Sequence, residues 1–120
     1  MPDVHMGEMV AEVRRISDLI DRGIAALREA SSEYAETEHA YRQARAKAFL
    51  AAKGTVPERE SFVELRCGDL RHARDVSEGL RSAALESVRS RRAQLSALQS
   101  LLAASRAEAE YARTGFSSSV

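Results

Sequence analysis

The sequence predicts an all-α fold, a long antiparallel helical hairpin, and three observations carry that prediction. A helix stop, Lys53-Gly54, runs directly into a helix start, Thr55-Val56-Pro57-Glu58. Apolar side chains recur at three- and four-residue steps on both sides of that stop. The only two prolines are Pro2 and Pro57, so neither apolar run carries an internal breaker.

The turn is the most legible element. Gly54 lacks a Cβ and can take the left-handed conformation that ends a helix. Thr55 and Glu58 are spaced as a capping box, each side chain reaching the other's backbone amide. Pro57 falls in the first turn, where a missing N–H costs nothing.

Helix 1 is predicted over about residues 8–52, after a frayed segment at 1–7 without clear periodicity. Its stripe runs Val13, Ile16, Ile20, Ile24 and Leu27, then Tyr34, Tyr41 and Ala48. Helix 2 is predicted over about 56–112, with the Thr114-Gly115 and Ser117–Ser119 segment as a flexible tail over 113–120. Its stripe is read as Phe62, Leu65, Leu70, Ala73, Val76, Leu80, Ala84, Val88, Leu95, Leu98 and Leu102. The charge-dense Arg89–Arg92 stretch contains no Gly or Pro, so helix 2 is expected to pass through it unbroken.

Folding about Gly54-Thr55 sets residues equally far from the turn against each other. Ala48 then meets Phe62, Tyr34 meets Val76, and Val13 meets Ala97-Leu98. Residues beyond about 103 are left without a partner inside the hairpin. Two helices alone bury little apolar area. The apolar width at Ile16, Ile20, Leu85, Leu98, Leu101 and Leu102 therefore predicts self-association, a homodimer forming an antiparallel four-helix bundle.

Composition narrows the function classes. The chain has 120 residues with 18 basic and 18 acidic side chains, so no net field draws it to nucleic acid or to a membrane surface. No apolar run is long enough to span a bilayer, and no signal peptide is evident. The single Cys67 cannot form an intrachain disulfide, which fits a reduced thiol in a cytoplasmic protein.

Candidate chemistry is sparse. Glu36-x-x-His39 and Asp69-x-x-His72 have the spacing with which helical bundles hold two metals, but the predicted stripes leave them on the flanks. Cys67 has no His placed near it by a local motif, and no phosphate loop or zinc-ligand spacing is present. The expectation is a non-enzyme without a cofactor. Arg89, Arg91, Arg92 and Arg106 form a basic face on helix 2 that could lie against phosphates, which makes a single-stranded nucleic-acid accessory the alternative to a protein-binding scaffold. Arg91 falls on the apolar stripe itself, with Asp18 as its expected partner across the seam. Glu29, Glu33, Glu36 and Glu38 make an acidic patch on helix 1.

The run Tyr41-x-x-Ala44-x-Ala46-x-Ala48, the turn Lys53–Glu60, Ala73-Arg74-Asp75 and the segment Arg92–Ser100 resemble the small helical proteins of tailed phages and prophages, notably of actinobacteria, encoded near replication and recombination genes. The resemblance covers about residues 34–113. It implies a cytoplasmic accessory protein that touches single-stranded DNA or a replication or recombination partner, and it brings no catalytic residues. The secreted WXG-type hairpins have a similar length but carry Trp-x-Gly at the turn. Here the turn is Lys-Gly-Thr and Trp is absent.

Overall fold

A computed structural model describes the backbone of residues 2–118 and the side chains of residues 5–115. The chain is all-α: helix α1 spans Pro2–Ala51 and helix α2 spans Val56–Ser118. Among the described residues no helix is long and apolar enough to cross a membrane. Both helices outrun their predicted bounds, α1 starting at Pro2 and α2 continuing through Arg89–Arg92 to Ser118. Ser119 and Val120 of the expected flexible tail lie outside the described residues.

The turn forms as its sequence predicts. Gly54 sits at φ 108°, and it alone among the described residues has a positive φ. The Thr55 amide donates to Glu58 Oε2 and the Glu58 amide donates to Thr55 Oγ1, both at 3.4 Å, so the capping box is closed. The last carbonyls of α1 are met by Ala52 N donating to Ala48 O at 2.9 Å and by Arg59 Nη2 donating to Phe49 O at 3.2 Å.

The described residues fall into two compact units. The turn unit, Ile24–Glu86, is an antiparallel helical hairpin. Its seam on α1 runs Leu27, Ala30, Tyr34, Thr37, Tyr41, Ala44 and Ala48, all buried or half-buried at alternating three- and four-residue steps. The facing seam on α2 is Val63, Cys67, Leu70, Arg74, Ser77, Arg81 and Ala84, of which only Leu70 is exposed. Beside the turn, Ala48, Val63 and Cys67 make an apolar cluster under Tyr41, Ala44 and Phe49.

The α2 seam corrects the predicted stripe over its first half. Leu65 is 88% exposed, Leu80 61% and Val76 49%, so these residues face outward. The reason is the opposite helix. At these levels α1 presents Tyr34, Thr37 and Tyr41, and the flat, weakly hydrated guanidinium covers a phenol ring better than a branched apolar side chain does. Arg74 lies 4.6 Å from the Tyr41 ring centroid and Arg81 5.1 Å from that of Tyr34. Between them Thr37 Oγ1 and Ser77 Oγ are 2.6 Å apart. Tyr34 therefore meets Arg81, not Val76.

The second unit joins residues up to Gly23 with those from Ser87 onward. Apart from Arg91 its seam is aliphatic, with Ile16, Ile20, Val88 and Leu102 buried and Leu95 and Leu98 half-buried. Gly23 lets the helices close here, since a Cβ on it would lie 3.1 Å from Val88 Cγ2. Met6 and Met9 border a cavity of about 350 Å³ with Ser105, Glu108 and Ala109. Pairing thus extends past residue 103, because α1 is helical from Pro2. Arg91 does lie half-buried on the seam, but Asp18 is exposed, and no ion pair joins them.

Candidate functional site

Because α2 turns Arg74, Ser77 and Arg81 inward, Val76 and Leu80 at the same levels are displaced to the outside of the turn unit. Leu80 lines a groove of about 320 Å³ whose other walls are Ala26, Ala30, Ser77 and Ala84, with Glu29 and Glu33 along its α1 rim, and Val76, one turn from Leu80, is exposed. Nearer the turn, Phe62 and Leu65 border a shallow hollow with Pro57 and Ser61. Val56 is also exposed. These exposed apolar residues of α2, Phe62, Leu65, Val76 and Leu80, are the candidate functional surface, and the predicted stripe placed all four inside.

The other edge of the same hairpin is polar and internally paired. A cavity of about 400 Å³ there is bordered by Tyr41, Arg45, Glu64, Cys67, Arg71 and Arg74, among others. Glu38 accepts from Arg42 Nε at 2.7 Å and lies 3.8 Å from Arg74 Nε. Arg74 also donates twice to Asp75, at 3.0 and 2.8 Å, and Arg71 lies 3.3 Å from Glu64. The Asp75 hydrogen bond holds the Arg74 pKa above its ordinary value. Desolvation, and then Glu38 and Glu78, push the Tyr34 phenol above its usual range. The ring that covers Arg81 is therefore un-ionised at neutral pH.

The remaining sequence-predicted residues disperse. Glu36, His39, Asp69 and His72 are each exposed, and no group of three or more His, Cys, Asp or Glu among the described residues could hold a metal ion. Cys67 is 2% exposed and packs as a small apolar residue. Of the basic candidates, Arg89, Arg92 and Arg106 are exposed and Arg91 is half-buried. Of the residues assigned to self-association, Ile16, Ile20 and Leu102 are buried in the chain's own seam, Leu85 and Leu98 are half-buried, and Leu101 is exposed.

The chain matches no family model, no curated protein and no solved structure.

A strict alternation of three- and four-residue steps, counted back from Leu102 through Leu98, Leu95, Arg91, Val88 and Ala84, arrives at Arg81, Ser77, Arg74, Leu70 and Cys67. That count was the available signal for the outward line. It requires accepting arginine and serine as seam residues.

Proposed function

We propose that this chain is a non-enzymatic helical scaffold that binds another protein through its outer faces. The carrying observation is the set of apolar side chains that α2 leaves exposed on one side, Phe62, Leu65, Val76 and Leu80, in a chain whose seam is built from other residues. Isolated exposed apolar residues are ordinary, but several on one side mark a docking face. The resemblance of the turn and of the Arg92–Ser100 segment to phage and prophage proteins supports a cytoplasmic role beside DNA replication or recombination. A reduced Cys67 suits that setting.

The test is affinity capture from cells that naturally contain the protein, comparing wild type with Val56→Glu/Leu65→Glu. The scaffold reading expects a protein retained by wild type and lost by the variant at unchanged helicity. Identical captured sets contradict it. Titration with single-stranded DNA at two salt concentrations covers the rival reading. Micromolar binding whose log affinity falls with log salt by about 0.7 per neutralised phosphate, and which an Arg89/Arg92/Arg106→Ala variant abolishes, would replace the scaffold with a nucleic-acid accessory.

A further inference from the structure

The two edges of the turn unit differ in how far they are closed. On one edge Ile24, Ser31 and Glu38 of α1 are half-buried beside the seam. On the other, Ala26, Glu33, Ala40 and Lys47 recur every seven residues and are exposed, as are Arg66, Ala73 and Leu80 of α2. The groove brings Ala26 and Glu33 together with Leu80, so these two rows share one face. On it Glu33 and Lys47 make no ion pair, and Arg66 meets only the Phe62 ring, at 5.9 Å.

We propose that a second copy of this chain closes this face, about a two-fold axis passing beside Ala40 and Ala73, each helix lying antiparallel to its counterpart. The proposal deepens the scaffold reading and rests on it for the role of the open apolar side chains. The face is self-complementary in the way an isologous contact demands. Reversal about Ala40 carries Lys47, seven residues beyond it, onto Glu33, seven residues before it. Reversal about Ala73 carries Phe62 to the level of Leu80–Ala84, where the groove has room for an aromatic ring. The same operation brings Arg66 to the level of Leu80, beside Glu33 on the rim of the groove. Every contact occurs twice, and the small residues stand at the axis, where the helices must approach most closely.

Size is consistent with this. Residues 26–50 of α1 span about 37 Å, and two helices side by side are about 20 Å wide. The face therefore offers roughly 700 Å² per copy, inside the range of stable interfaces at about 1,200–2,000 Å² in total. Val56 and Leu65 stay outside it, open to a different protein.

Light scattering behind size exclusion at micromolar concentration is expected to read the mass of two chains for wild type. Lys47→Glu weakens the association about tenfold or more, and adding Glu33→Lys restores it. Leu80→Glu gives single chains with unchanged circular dichroism. Under mild oxidation Ala40→Cys cross-links to its own symmetry mate, whereas Ala46→Cys, about 120° around α1 and beside Arg42 and Phe49, does not. Wild type, with Cys67 buried, sets the background. A wild-type mass of 13.2 kDa, or cross-linking of Ala46→Cys as fast as Ala40→Cys, overturns the proposal. A wild-type monomer whose captured protein is still lost on Val56→Glu/Leu65→Glu removes the second copy and keeps the scaffold. A dimer whose capture ignores that variant does the reverse.

Discussion

The two seams of this chain are built from different chemistry. In the unit of Ile16, Ile20, Val88 and Leu102, aliphatic side chains meet aliphatic side chains, and Gly23 accommodates Val88 by having none. In the turn unit, arginines lie against tyrosines, and a serine meets a threonine. The first kind of seam draws its strength from area removed from water. The second places polar groups where each has few permissible partners, which fixes register more firmly than it adds stability. It has a further consequence. Apolar residues of α2 that a hydrophobic seam would have used are left on the outside, and an outside line of that kind is what a partner can bind.

This contrast predicts a large asymmetry in the cost of truncation. Ile16→Ala removes a 3%-exposed side chain and is expected to cost about 2–5 kcal/mol. Leu65→Ala, in the apolar line of α2, is expected to cost less than about 0.5 kcal/mol. Chemical denaturation of both variants at one protein concentration measures the difference. Comparable losses would mean that Leu65 packs inside the chain.

A smaller effect probes the polar layer. Thr37 Oγ1 donates to Tyr34 O at 3.1 Å and Ser77 Oγ to Arg74 O at 2.9 Å, while the two hydroxyls also approach each other. Each hydroxyl has one proton, so the three contacts cannot all be hydrogen bonds at once. Ser77→Ala or Thr37→Val alone is expected to cost about 1 kcal/mol. The double variant should fall short of the sum by about 0.5 kcal/mol or more. Strict additivity would show that the hydroxyls act only on their own helices.

The legible parts of this fold were those with local causes. Gly54, Thr55 and Glu58 lie within five residues of one another, and their geometry follows from that stretch alone. The α2 seam over residues 63–81 was not legible from apolar letters, because Arg74, Ser77 and Arg81 become seam residues only through Tyr41, Thr37 and Tyr34, over thirty positions earlier. Reading α2 by itself selects Leu65, Val76 and Leu80, and so hides the candidate surface inside the molecule. From Ala84 onward the apolar and seam residues largely coincide, and there the stripe and the structure agree, with Arg91 already marked as a seam residue.

Nuclear Overhauser contacts of the tyrosine rings test the register of the turn unit most directly. With selectively labelled Tyr, Arg and Val, the Tyr34 ring protons are expected to show contacts to the Arg81 side chain, and those of Tyr41 to Arg74. Contacts from Tyr34 to the Val76 methyl groups, in place of Arg81, would contradict it. They would return Val76 to the seam and close the outer apolar line.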